Sequence, residues 1–480
     1  MLKKLSLLIL LILINRSLNS QEPDILRRGI HQVENEFYNS IIPAEFPYMQ
    51  KGTTIPSKLF VTGNRSLTHK VLGWHPYWVS ASAHLSYDYK ALSHIAYFSY
   101  EVDTATGGYT SIHNWSTTPV IDYAHQQGTK VLLTVTNFGS SRNSEILSDT
   151  VKQKYMITRL ITLLKARNGD GINFDFESVS LSQRTNLTKF ITRAVTMIKA
   201  ELPESEISMA TPAVDWSGSW DIKTLSELCD YLIVMGYDYY WSGSSTAGPV
   251  APLEGESYNV TRTINTYLTA GVSPEKLLLG VPWYGYDWPV LTNTRKATAS
   301  GTATSRIYTS ANQLAVTYGK IFDLATKVPY VSYSGSPAWR QLWFDDPESL
   351  SMKYTLAKNK NLGGIGIWAL SYEGGRSDMW GKLISTFLVF DTTGNKILTV
   401  YPNPAYETAK IEFSLAGDEP VTILIYDSQG KERMVLVDEK LNAGFHSIEF
   451  KPAGYGAGLY LCVLRSKNSV STWKIFIGKK

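Results

Sequence analysis

Cysteine is almost missing from this chain: 480 residues hold two, Cys229 and Cys462. Two cysteines so far apart cannot build a disulfide framework, and no Cys/His cluster has the spacing of a metal site. An exported protein could pair them, but the expectation is two buried free thiols. Histidine is scarce as well, with eight scattered residues, each read as a core or surface side chain. His75 and His94 are too few for a metal-dependent hydrolase, so neither a metal nor a cofactor is expected. Charge of one sign is lacking: 46 basic against 42 acidic residues leave +4. That excess is too small and too dispersed to argue for nucleic acid. Beyond the first twenty residues no apolar run is long enough to cross a bilayer. With 44% hydrophobic and 18% charged residues, the chain is folded rather than disordered.

What is present begins with "MLKKLSLLILLILINRSLNS". Lys3 and Lys4 precede an apolar stretch, Leu5 to Ile14, and small or polar residues follow to Ser20. This layout predicts a secretory signal peptide over 1–20, with a membrane anchor as the alternative. Aromatics are plentiful, with 13 Trp and 29 Tyr, which fits stacking on sugar rings and equally fits a large core.

Short apolar runs recur eight times: "VLGWHPYW" at 71, "HIAYFSY" at 94, "VLLTVTNFG" at 131, "GINFDFE" at 171, "ISMATPAV" at 207, "YLIVMGYD" at 231, "LLLGVPWYG" at 277 and "GIGIWALS" at 364. Near-continuous hydrophobic runs suit strands covered on both faces. Helix-like segments lie between them, with Leu160, Leu163 and Leu164, or Phe190, Ala194, Val195 and Ile198, at helical spacing. The alternation predicts an α/β fold, a (β/α)8 barrel over 67–390. A doubly wound open sheet is the runner-up, but no glycine-rich phosphate loop follows the first strand. Residues 21–66 read as an N-terminal arm. Residues 289–346 read as an insertion after the seventh strand, with "VPYVSYSGSPAWRQLWFDD" as a hairpin. After the polar linker "DTTGNK", short alternating strands with turns at Asp427–Gly430 and Asn442–Gly444 predict a small all-β sandwich of seven strands over 391–480.

The stretch "GDGINFDFES" places carboxylates on alternate positions of an apolar run. Successive strand side chains point to opposite faces. Asn173, Asp175 and Glu177 therefore share one face, and Ile172, Phe174 and Phe176 the other. In a barrel the large apolar row suits the helix side, which turns the polar row inward. Glu177 falls at the C-terminal end of the strand, where barrel enzymes keep their chemistry. Carboxylates buried together are costly without a purpose, and proximity lets one hold a proton near neutrality, as a general acid must. A surface strand is the plain alternative, but it does not suit the middle of a parallel repeat.

The run Asp170-Gly171-Ile172-Asn173-Phe174-Asp175-Phe176-Glu177 resembles the DGxDxDxE signature of glycoside hydrolase family 18, the chitinases and their relatives. "GWHPYW", "VMGYD", "GVPWYGYDW" and "GIGIWALS" resemble the same family's first, sixth, seventh and eighth strands, in order. The resemblance implies hydrolysis of β-linked N-acetylglucosamine glycans, chitin or chitin-like oligosaccharides, assisted by the substrate's own acetamido group. It implies Glu177 as acid and base, Asp175 orienting the acetamido N–H, Tyr237 donating to the acetamido oxygen, and Trp368 as the floor under the sugar. Asp238, Met235, Trp74, Tyr284, Asn173 and Asp170 complete the implied substrate-binding set. Two departures stand out. The middle Asp of the signature is Asn173, as in spore-coat-type N-acetylglucosaminidases and chitobiase-like enzymes. Asn there is expected to hydrogen-bond Asp175 without accepting its proton. The third strand ends "TVTNFGSS" instead of S-x-G-G. The C-terminal segments "VYPNPA", "YDSQGK", "LNAGFHSIEF", "GLYLCVLRS" and "KIFIGKK" resemble the sorting domain of the type IX secretion system. The implied partners are thus a β-linked N-acetylglucosamine glycan and the type IX machinery, for a secreted or surface monomer. Competing readings are an endo-β-N-acetylglucosaminidase of peptidoglycan or N-glycan cores, and a non-catalytic chitin-binding lectin. A retained Glu177 speaks against the lectin. For the sandwich, the alternative is a carbohydrate-binding module, against which its one tryptophan, Trp473, argues.

Overall fold

The computed structural model describes residues 28–42, 65–335, 339–390, 394–401 and 403–478. The predicted signal peptide lies outside them. Eight parallel strands close into a barrel: β1 (Lys70–Pro76), β2 (His94–Val102), β3 (Lys130–Phe138), β4 (Gly171–Glu177), β5 (Glu206–Pro212), β6 (Tyr231–Met235), β7 (Leu277–Pro282) and β8 (Gly364–Trp368). Each pairs with the next, and β1 pairs with both β2 and β8 to shut the ring. All eight expected strands form.

The outward faces pack as the alternation in β4 requires. Phe174 and Phe176 both lie against Phe190 of the helix Arg184–Glu201, with ring centroids 5.3 and 5.5 Å away. Leu160 and Leu164 of the helix Thr150–Arg167 are buried beside it. That helix begins where Asp149 accepts from the amides of Val151 and Lys152, and it ends on Asn168 in the left-handed conformation. Gly171 opens β4 because nothing larger fits: a Cβ there would stand 1.9 Å from the Glu206 carbonyl oxygen.

The insertion starts earlier than the sequence suggests, at Tyr284, directly after β7. Five antiparallel strands run in the order Thr304–Ile307, Tyr284–Val290, Trp339–Phe344, Val328–Ser334 and Ile321–Asp323. The expected hairpin is the pairing of Val328–Ser334 with Trp339–Phe344.

The residues expected to form an N-terminal arm contain a helix, α1 (Ile30–Ile41), in the same compact unit as the barrel. Among the described residues no helix is long and apolar enough to cross a membrane.

The second compact unit has its own core. A three-stranded sheet (Lys396–Tyr401, Ala409–Leu415, Gly444–Phe450) faces a four-stranded one (Glu432–Leu441, Glu419–Asp427, Gly458–Ser466, Val470–Ile477). Ile411, Phe413, Ile423, Ile425, Leu464 and Ile475 fill the space between them. In the expected turn, Asp427 accepts from the amides of Gln429 and Lys431 while Gly430 takes a positive φ. Trp473 belongs to this core, so it offers no sugar-binding face. The short strand Arg65–Leu67 pairs with Leu388–Phe390 in this unit. Cys229 and Cys462 are free and buried, and burial pushes both thiols up to about 12.

Candidate active site

The inward face of β4 runs along the barrel axis as three buried polar side chains. Asn173 and Asp175 are fully enclosed, and Glu177 at the strand end is 8% exposed. Ser178 then takes φ 60°, which turns the chain sharply off the sheet. The backbone at Glu177 is held from the turn and helix that follow the third strand: its carbonyl accepts from the Asn143 side chain at 2.6 Å and from the Gly139 amide at 3.2 Å. Asn143 is itself tied to Asn137 at 2.9 Å. The unusual "TVTNFGSS" ending of β3 is therefore a clamp on the carboxylate strand. Sequence reasoning marked it as a departure and missed this role.

Tyr237 and Asp238 follow β6. Their loop stays against the sheet because Gly236 donates to the Gly280 carbonyl at 3.1 Å. Asp238 sits at φ 59° and accepts the hydroxyl proton of Tyr284. Burial raises the Tyr237 phenol well above the usual tyrosine range, and the charges of Asp175, Asp238 and Glu177 add to it. Tyr237 therefore stays protonated, a permanent donor facing two carboxylates. Trp368 ends β8 fully buried, with Phe98 against it edge-on at 5.0 Å. Met235 lines a pocket beside Glu177 with Phe176, Trp216, Trp220 and Asp238.

Two expected residues are placed differently. Asp170 lies before the start of β4, at the opposite end of the strand from Glu177. It accepts from the Val131 amide at 2.6 Å and from His125 at 2.8 Å, a brace between strands and not a substrate contact. Asn173 does not bond Asp175. Its oxygen accepts from Trp74 Nε1 at 3.0 Å, and its amide donates to Ser208 at 3.0 Å. The register explains this: the adjacent strand brings Ser208 directly opposite, and Trp74 reaches in from β1, so both ends of the amide are already bonded away from Asp175. Trp74 thus stands below the carboxylates as the partner of Asn173.

The unforeseen component is α1. Its His31 ring stacks on Trp368 with centroids 3.7 Å apart. His31 Nδ1 lies 2.7 Å from Asp175 Oδ2 and its Nε2 lies 2.8 Å from the Tyr237 hydroxyl. Read as the donor to this carboxylate oxygen, Nδ1 leaves Nε2 to accept from the Tyr237 hydroxyl. One turn on, Glu34 accepts from Trp368 Nε1 at 3.0 Å and from Tyr372 at 2.6 Å. The Ile30 amide donates to Asp238 at 2.8 Å. Another turn on, Tyr38 stacks on Trp78 at 4.8 Å. His31, read from sequence as an ordinary histidine, sits at the centre of the site. The available signal was the helical spacing of Ile30, His31, Glu34, Asn35 and Tyr38, which puts polar side chains on one face.

His31, Asp175 and Glu177 offer ligand atoms within 4.8 Å of one another. Two donors on a shared ion with 2.0–2.1 Å bonds keep about 3.3 Å apart in a tetrahedron. The 2.7 Å His31–Asp175 separation is instead that of a charge-assisted hydrogen bond.

Residues 71–373 match the model of the glycosyl hydrolases family 18, and residues 399–478 match that of the secretion system C-terminal sorting domain. The chain is similar to mouse di-N-acetylchitobiase, 32% identical over 302 residues covering 54% of this chain and 78% of that protein. It is similar to the cortical fragment-lytic enzyme of Bacillus anthracis, 24% identical, covering 62% of this chain and 69% of that protein. Among solved structures, a family GH18 chitinase from Cycas revoluta in complex with (GlcNAc)4 superposes with TM-score 0.60 at 21% identity, over 67% of this chain and 99% of that one. The barrel, the carboxylates ending its fourth strand and the matched 71–373 segment describe one thing: this chain belongs to glycosyl hydrolase family 18 and is a glycoside hydrolase carrying a C-terminal sorting domain.

Proposed function

We propose that the chain is a secreted hydrolase of β-linked N-acetylglucosamine oligosaccharides that works with retention through the substrate's own acetamido group. One observation carries this reading. Across the face of Trp368, Asp175 and Tyr237 grip opposite edges of a planar group, one accepting from a nitrogen and the other bonding its far side. An acetamido group presents the same pair, an N–H and an oxygen.

In the proposed cycle Glu177 gives its proton to the glycosidic oxygen as the C1–O bond breaks. The acetamido oxygen closes on C1 from the other face, forming an oxazolinium. Asp175 accepts the acetamido N–H and faces the positive charge as it grows, while the protonated Tyr237 donates to the acetamido oxygen. Water then attacks C1, losing its proton to Glu177, and the ring opens with configuration retained. Trp368 is the sugar's floor. Asp238, fixed by Tyr284, borders the same site. This differs from the scheme with two catalytic carboxylates because the nucleophile belongs to the substrate.

Short chitin-type oligosaccharides are the proposed substrate, in line with di-N-acetylchitobiase among the relatives. Cell-wall glycan is the second reading, in line with the cortical fragment-lytic enzymes. The sorting domain would take the chain to the type IX machinery as a monomer. The test is product analysis on chitin oligomers, peptidoglycan and an N-glycoprotein, with Glu177→Gln in parallel. Loss of at least about a hundredfold in kcat, the low end for general acid catalysis, is expected with sugar binding kept. Near-normal turnover by Glu177→Gln would overturn the mechanism.

A further inference from the structure

We propose that α1 is an internal ligand of the catalytic cleft, which holds the enzyme latent until the helix is displaced. This concerns regulation of the site and rests on reading the cleft as the glycosidase site. The chemistry of the helix face points this way. Ile30 and His31 are fully buried, and Glu34 and Asn35 are each 6% exposed. A helix that merely covered a barrel mouth would bury apolar residues. This one buries an imidazole, a carboxylate and an amide, and the first two are bonded to groups of the cleft: Asp175 and Tyr237, Trp368 and Tyr372. The opposite face is ordinary solvated helix, where Glu36 takes bonds from Arg28 and Gln32.

The His31 ring lies flat on Trp368, with one edge to the buried carboxylate and the other to the phenol. A sugar and its acetamido group cannot share that space. The chain entering the helix is as close. Gly29 has no side chain, and a Cβ there would stand 2.4 Å from Glu177 Oε2. Further along the cleft, Asn39 bridges Glu101 and Tyr77, each at 2.6 Å, and Tyr38 covers Trp78. The occupied ground therefore extends from the reacting centre along an aromatic wall, the extent of more than one sugar unit.

Energetics favour a releasable device over a permanent part of the fold. An isolated helix of 12 residues is marginal in water, so α1 owes its order to the cleft. Because α1 belongs to the same chain as the barrel, its docking is intramolecular and is not diluted with the enzyme. Once cut free, the same segment must bind from solution, and at micromolar enzyme it dilutes away.

The experiment uses the full chain with a site-specific protease sequence inserted after Ile42, so that cutting removes no residue. Cut and uncut forms are compared for kcat/KM on chitin oligomers. The binding of a labelled synthetic peptide spanning residues 28–42 to the cut form is measured by anisotropy, with and without competing N-acetylglucosamine oligomer. The expected result is a rise of at least tenfold in kcat/KM on cutting. The peptide should reverse it competitively, and a peptide with His31→Ala should not. Equal kcat/KM before and after cutting, with no peptide binding, overturns the proposal while leaving the glycosidase reading intact. If no form cleaves any sugar yet the peptide binds and His31→Ala abolishes binding, the glycosidase reading fails and the internal ligand stands.

Discussion

Glu34 should make the docking of α1 depend on pH. Burial lifts its carboxyl from an ordinary 4.5 to about 7, against the opposing hydrogen bonds from Tyr372 and Trp368, and the charge of Asp238 adds a smaller upward push. Released into water the same group returns to the ordinary value, so the docked helix holds the proton more tightly than the free one. Docking is therefore at full strength below 4.5, weakens as pH climbs from 4.5 through about 7, and is level above that. At 1.36 kcal/mol per pKa step the whole change is worth ~3 kcal/mol, or a few hundredfold in the docking constant. The titratable groups around Glu34 are Tyr372 and Asp238 from the barrel and His31 and Tyr38 from its own helix, with Asp175 and Tyr237 beyond His31. Burial holds the phenols of Tyr237 and Tyr372 well above the usual range, and Tyr38 is raised too, so none of the three titrates in this window. Activity would confound the measurement with the catalytic carboxylates. Docking is better followed directly, by amide exchange of α1 at pH 5 and 8 after correction for intrinsic rates, or by fluorescence of Trp368 and Trp78. Glu34→Gln keeps an acceptor for both donors and removes the titration, so its docking should be flat across the range. Opening that does not change between pH 5 and 8, or a Glu34→Gln chain that keeps the slope, would refute the reasoning.

Asp175→Asn should cost at least about a hundredfold in kcat, because the developing positive charge loses its anionic partner. It should also loosen α1, seen as faster amide exchange in the helix, since His31 loses its charged acceptor. Asn173→Asp should fold, because Trp74 and Ser208 can both donate to a carboxylate. It would place a second acid two positions from Asp175 on one buried face, which raises one pKa. The pH–rate profile should move toward acid, with turnover falling at pH 7, and a gain at pH 7 would contradict this. Deleting residues 391–480 should leave sugar hydrolysis and thermal stability of the barrel unchanged in the test tube, because the sandwich has its own core. In the source cell it should abolish surface delivery, and normal delivery would rule out the sorting role.

The barrel was legible because each strand is a short apolar run bounded by helical spacing, and β4 declared its own orientation through its alternation. Glu177 and Asp175 followed from that register, and the sandwich from its turns. Other features depend on contacts between strands or elements that no local pattern encodes. The partners of Asn173 are set by its register with Ser208 in β5 and by the reach of Trp74 from β1. Asp170 opens the signature yet lies at the far end of the barrel, because a strand of seven residues spans about 20 Å at ~3.3 Å per residue. The clamp on the Glu177 carbonyl depends on where the helix Ser140–Leu147 places Asn143. The role of His31 depends on a helix more than a hundred residues before β4 returning to the barrel mouth.

A cleft shaped for an N-acetylated sugar is open to capture by its own chain for a physical reason. It must hold a buried carboxylate ready, and Asp175 Oδ1 finds no hydrogen-bond partner among the described residues even with α1 docked. Buried acceptors left unpaired are costly, so any nearby donor on a flat ring gains by entering. Imidazole satisfies the floor and both edges at once. The kinetic consequence separates occupation from distortion. If α1 only competes for the space, the fraction of open enzyme scales the apparent affinity. Displacing it then lowers KM and leaves kcat alone. If docking instead pulled Glu177 or Tyr237 out of place, release would raise kcat. The hydrogen bonds of His31 run to Asp175 and Tyr237 from the side the substrate would use, and Asn143 and Gly139 hold Glu177 from behind. The catalytic groups are thus covered without being moved, and release should act through KM.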